Sequence, residues 1–228
     1  MAAIRWPSDP SGFDRRLTET ILLFTTLGRT THIWPSIADE PADLADRLLA
    51  NGFRDVGAGQ LMVLVDADAV RAAVSVAAAP GARLERLSGL DREAAQAVAG
   101  PIAATLIEAF DVEPHRRPGV EAETMASLRD ARFHHYLVWL GGRPVAVARR
   151  ATFDGLSYLS SIGTVADARG LGFGRIITAA AAADAIEAAS DWVYLGVFAE
   201  NEAAIRLYHR LGFESVGEAT PDMLLIGG

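Results

Sequence analysis

Residues 162–175 (IGTVADARGLGFGR) constrain the fold of this chain more than any other stretch. They leave an apolar, β-branched segment and enter an alanine-rich one, and Arg169, Gly170, Leu171, Gly172, Phe173 and Gly174 lie between. Glycine takes positive φ without steric penalty, so such a turn feeds a strand into a helix and exposes consecutive N–H groups. With the positive end of the helix, those groups form an anion site suited to a pyrophosphate. Arg169 and Arg175 add charge where phosphates would lie, and Gly172 and Gly174 keep the backbone accessible. Three readings compete. A Rossmann dinucleotide turn needs a glycine where Arg169 stands, and no strand ending in Asp or Glu follows the helix. A P-loop needs Lys-Ser/Thr after its glycines, and none follows here. A plain glycine turn before a helix requires no ligand at all.

The flanking pattern predicts a strand over residues 83–87 and an amphipathic helix over 91–110 that Pro101 should interrupt or split. A loop over 111–119 leads to a short helix from about residue 121 to 129. The aromatic, β-branched run 133–140 turns at Gly141-Gly142 into 145–153, and Asp154-Gly155 turns that into 156–165. A helix over about 172–189, a strand over 192–198, a helix over 201–211 and a closing strand pair over 213–226 complete the series. This predicts an α+β fold, a mixed and mostly antiparallel sheet flanked by helices in three layers. The small, uncharged stretch around Pro80-Gly81 reads as a linker (76–82) between a first module (1–75) and a larger domain (83–228).

Half of the 228 residues are hydrophobic, enough for a sizeable core. A net charge of −8 argues against a nucleic-acid partner, which would require a basic face. The chain has no cysteine, so disulfides, thiolate metal sites and cysteine nucleophiles are excluded. No apolar run approaches membrane-spanning length and no signal-like start is present, so the chain is expected to be cytoplasmic and free of membrane contact.

Downstream, Asn201 and Tyr208 are seven residues apart on a predicted helix, so both share one face about 10 Å apart. One long, thin ligand could touch both. Taken singly, Asn201 would serve as an N-cap and Tyr208 as a half-buried core tyrosine with a wet hydroxyl. Together with Arg169, Gly172 and Gly174, the residues Asn201, Ala204, Leu207, Tyr208, Gly212 and Phe213 make the second part resemble the GNAT superfamily of acyl-CoA-dependent N-acyltransferases. The resemblance implies an acyl-CoA, acetyl-CoA or another short one, between two splayed strands ending at Val165 and near Phe198. Backbone groups around Gly163 and Thr164 would pair with the pantetheine amides, and the amides of 169–175 would hold the pyrophosphate. It also implies that Asn201 contacts the pantetheine arm and that Tyr208 sits near the thioester sulfur. Ala166 occupies the region where the family usually has a proline before the arginine.

The first part resembles a degenerate GNAT half. Asn51-Gly52-Phe53 echoes Leu211-Gly212-Phe213, which sets Pro41 opposite Asn201 and Leu48 opposite Tyr208. That copy lacks both polar residues and any glycine clamp. A glycine cap followed by a packed phenylalanine would explain the echo without duplication.

The expected reaction moves an acyl group to a primary amine, most simply of a small molecule, with Tyr208 as general acid to the thiolate. A non-catalytic acyl-CoA sensor is the alternative. A strand N–H near Thr164 would polarise the carbonyl. The base is open among His134, His135, Glu123, Asp154, Glu200 and relayed water. His115, between loop residues and beside Arg116 and Arg117, lacks metal-ligand spacing, and no metal is expected. The acceptor and the oligomeric state, a homodimer included, are not specified by any motif.

Overall fold

The computed structural model describes residues 5–35, 39–74 and 80–226. In chain order the elements are α1 (Pro10–Thr26), β1 (His32–Ile33), α2 (Leu44–Ala50), β2 (Phe53–Leu64), α3 (Ala67–Val74) and β3 (Arg83–Leu87). They continue with α4 (Arg92–Phe110), a 3-10 turn (Pro114–Arg116), α5 (Arg117–Leu128), β4 (Phe133–Leu140), β5 (Arg143–Phe153) and β6 (Leu156–Thr164). A second 3-10 turn (Ala166–Ala168), α6 (Phe173–Glu187), β7 (Trp192–Phe198), α7 (Glu202–Arg210), β8 (Phe213–Ser215) and β9 (Thr220–Leu225) follow. The fold is α+β, with a mixed, mostly antiparallel sheet flanked by helices, as the pattern predicts.

The chain separates into two units. One comprises Met1–Leu61, Val197–Ile205 and Ser215–Gly228, the other Met62–Gly196 and Arg206–Glu214. The expected 76–82 linker does not coincide with this division: α3 lies in the larger unit, and β9 lies in the smaller one. Residues 76–79 of that linker, with residue 75 before it, are outside the described residues.

In the smaller unit β9 pairs antiparallel with both β1 and β2. Trp6, Phe13 and Leu17, Leu44 and Leu48, and Phe53 and Met223 form its core. The expected closing pair over 213–226 is therefore corrected: β8 pairs with β2, and β9 inserts between β1 and β2. Strand order is a non-local property, and adjacency in sequence misled here.

In the larger unit β3, β4, β5 and β6 form an antiparallel meander, and β7 adds parallel to β6. Gly141 and Gly142 have φ of 58° and 84°, and Asp154 and Gly155 have 48° and 77°, as two-residue hairpin turns demand. Asp91 caps α4 by accepting from Ala94 N at 2.8 Å. Ala95, Ala99 and Ile102 of α4 pack with Leu128, Leu137 and Val147. Pro101 does not split α4, contrary to expectation. The residue before a proline normally avoids the helical region because its Cβ meets the ring, and Gly100 has no Cβ. The α5 helix starts at Arg117 rather than near residue 121, because Pro118 sits in the first turn, where its missing N–H is no loss.

Candidate functional site

The parallel ladder between β6 and β7 runs from Leu156↔Trp192 to Leu159↔Leu195 and stops. Beyond it β6 continues to Thr164 with β5 as its partner, so its other edge is open along residues 160–164. At the same place the β5–β6 register shifts: Val147 faces Gly163 and Arg149 faces Ser160, which leaves one extra residue on β6. Ser161 takes φ of 52° within this bulge. Bulges re-aim backbone groups, and this one turns the open edge of β6 at the point where the strands part. Gly163 is required here on packing grounds, since a Cβ would come within 2.8 Å of both Ala109 and Phe110 of α4.

After Thr164 the chain makes the 3-10 turn and then the glycine turn. Gly170 and Gly172 have φ of 80° and 83°, so both use the conformation that glycine allows. No side chain caps α6, which leaves the amides of its first turn for a ligand. Phe173 is buried and anchors the helix, so only its backbone faces the turn, whereas Leu171 is exposed. A Cβ on Gly174 would stand 3.5 Å from Leu207 Cδ1 and 3.7 Å from Thr164 Oγ1. The structure thus brings together the end of β6, the glycine turn and α7. The two arginines are engaged: Arg169 donates through Nε to Thr164 O and through Nη2 to Ala109 O, both at 3.1 Å. Arg175 donates to Ala73 O at 3.2 Å.

Tyr208 is buried, its ring 6.2 Å from Phe213, and burial pushes its hydroxyl up to about 12, with Tyr158 adding to the shift. Tyr158 faces Tyr194 across the last part of the parallel ladder, with ring centroids 5.1 Å apart. Neither tyrosine was singled out by the sequence pattern, which marks them only as strand residues. Asn201 caps α7, its Oδ1 accepting from Ala204 N at 3.1 Å, as its residue type alone predicts.

A strand that parts from its neighbour and then opens through a glycine turn onto an uncapped helix fits a cofactor with an extended amide arm and a pyrophosphate. Residues 102–213 match the model of the acetyltransferase (GNAT) family. Over those residues the chain is a GNAT-superfamily domain. GNAT proteins take their acyl group from acyl-CoA. Among solved structures, the fold is similar to a GCN5-related N-acetyltransferase from Kribbella flavida, 24% identical, covering 96% of this chain and 77% of that one, TM-score 0.63. It is also similar to an acetyltransferase of the GNAT family from Novosphingobium aromaticivorans, 21% identical, covering 92% and 81%, TM-score 0.56. A tandem GNAT protein from the clavulanic acid biosynthesis pathway is 14% identical over 97% of this chain and 72% of its own, TM-score 0.63. No curated protein matches significantly in sequence.

Within this GNAT domain the candidate bases separate. His135 is buried and within 2.8 Å of Ser127 Oγ, and burial together with Arg149 lowers it to about 4. It is neutral at physiological pH and ties β4 to α5. His134 points to the opposite face of β4, where burial and then Arg150 lower it. Glu123 pairs with Arg149 at 3.0 Å, and the same guanidinium reaches Ser160 at the bulge at 3.3 Å. Asp154 sits in the β5–β6 hairpin turn, and Glu200 lies in the smaller unit. His115 pairs with Glu113 at 3.1 Å on the surface. Among the described residues no group of three or more His, Cys, Asp or Glu could hold a metal, and no helix is long and apolar enough to cross a membrane.

Proposed function

We propose that this GNAT protein transfers an acetyl or other short acyl group from CoA to the primary amine of a small molecule. The observation that carries this reading is the open edge of β6 leading straight into the uncapped, glycine-lined start of α6. The pantetheine amides pair with backbone groups around Gly163 and Thr164, and Asn201 contacts the arm through its amide nitrogen, since its oxygen caps α7. The amides of Gly170, Leu171, Gly172, Phe173, Gly174 and Arg175 receive the pyrophosphate. Arg169, whose guanidinium holds the neighbouring backbone, contributes its charge and its amide.

In the reaction the amine nitrogen attacks the thioester carbon, the C–S bond breaks, and Tyr208 supplies a proton to the sulfur. Its raised pKa keeps it protonated across the working range. A thiolate in water, near 8.5, would be too weak a base to draw that proton fully, but the desolvation that raises the tyrosine raises a buried thiolate as well. An N–H of β6 near Thr164 polarises the carbonyl. The amine loses its proton through water or His134, with His135 excluded as a poised base by its position near 4.

The first part is proposed as a degenerate GNAT-like half with a structural role. In both halves a helix ends at a glycine of φ above 80°, Gly52 at 86° and Gly212 at 82°, followed by a buried phenylalanine that opens a strand. Leu48 is buried opposite the position of buried Tyr208. The description of a structural neighbour as a tandem GNAT protein fits this reading.

Incubation with acetyl-CoA and a panel of primary amines, followed by free thiol and acceptor mass, tests the activity. Acceptor gaining one acetyl group per thiol released supports it. Binding of acetyl-CoA with no amine, peptide or lysine ever acylated supports the acyl-CoA sensor instead.

A further inference from the structure

The last turn of α4 lies directly on the cofactor strand. Gly163 has no room for a side chain because Ala109 Cβ and Phe110 Cε2 occupy its place, both 2.8 Å from where a Cβ would stand. Arg169, the first residue of the glycine turn, straps that helix end down by bonding Ala109 O and Thr164 O together. Phe110 is nevertheless 49% exposed, a large ring left half bare at a helix tip that is otherwise held in place. Its position along the strand is informative. It covers β6 at Gly163, next to Thr164, whose carbonyl Arg169 holds. Gly163 and Thr164 are where the acyl-CoA reading pairs the pantetheine amides with the strand.

We infer that the last turn of α4, with Phe110 at its tip, is a wall of the acyl-CoA site and packs against the pantetheine arm. This rests on the acyl-CoA reading above, and it assigns the end of α4 to the donor side of the site rather than to the acceptor pocket. The aliphatic part of the arm covers the exposed ring, and Arg169 couples that wall to the phosphate turn. The ring contributes by removing apolar surface from water, so its effect belongs to the arm and not to the nucleotide.

Calorimetry on the full chain tests this with two probes, acetyl-CoA and the adenosine bisphosphate fragment of CoA, which lacks the arm. Phe110→Ala is expected to weaken acetyl-CoA on the order of tenfold while leaving the fragment within twofold. Phe110→Leu, which keeps apolar bulk, should fall between, and the exposed position leaves the thermal midpoint nearly unchanged. Acetyl-CoA affinity within twofold of wild type in Phe110→Ala overturns the inference, as does an equal loss for both probes. If the wild-type chain binds neither probe, the acyl-CoA reading itself fails and takes this inference with it.

Discussion

At the scale of single residues, Tyr208 and His135 show how burial sorts chemistry. Tyr208 is raised to about 12 and remains a proton donor throughout the range in which an amine can be neutral. Tyr208→Phe is expected to lower kcat by about 10²-fold or more while the acetyl-CoA Kd stays within threefold, read by steady-state kinetics and calorimetry. An unchanged kcat would remove Tyr208 from the mechanism. His135 has its pKa lowered from 6.5 to about 4, so the folded state disfavours its charged form. Its contribution to stability is full above the unfolded value and is lost as pH falls toward 4. Urea unfolding should therefore show about 2 kcal/mol less stability at pH 5 than at pH 7.5 from this residue. His135→Gln, which can still bond Ser127, should flatten that acid limb.

At the scale of elements, α4 offers a test by sign. Replacing a helical glycine with alanine normally stabilises by about 1 kcal/mol. Before Pro101 the new Cβ meets the ring, so Gly100→Ala is expected to destabilise by about that amount. In a Pro101→Ala background the same change should stabilise, and thermal unfolding of the four chains closes the cycle. Two stabilising results would mean that Gly100 is not what keeps α4 whole. The hairpins were legible in the sequence because Gly141-Gly142 and Asp154-Gly155 state their turn chemistry locally. The glycine turn was legible for the same reason. The α1 helix carried its signals too: Asp9 accepts from Gly12 N, Pro10 opens the first turn, and Phe13, Leu17 and Ile21 recur at helical spacing on the face that packs into the core. The β6 bulge at Ser161 and the seat of Phe110 on Gly163 were not legible, because register and close approach are set by neighbouring elements.

At the scale of the molecule, the sequence suggests a cut near Pro80-Gly81, whereas the units interleave along the chain. β9, near residue 220, completes the sheet that β1 and β2 begin, and Met223 enters the core of Trp6, Phe13 and Leu48. A fragment of residues 1–75 lacks that strand and should show no cooperative thermal transition by circular dichroism. A sharp transition in the fragment alone would mean that the first part folds without β9.

The claim on which the rest depends is that the turn from Arg169 to Gly174 holds the pyrophosphate of an acyl-CoA. A calorimetric titration of acetyl-CoA into wild type and Gly172→Asp measures it most directly. Aspartate tolerates the left-handed conformation better than most residues, so the turn can keep its path while a negative charge enters the anion seat. The account predicts binding to wild type and a loss of at least about tenfold in the variant, with the fold intact. Equal affinity in the two chains would contradict it.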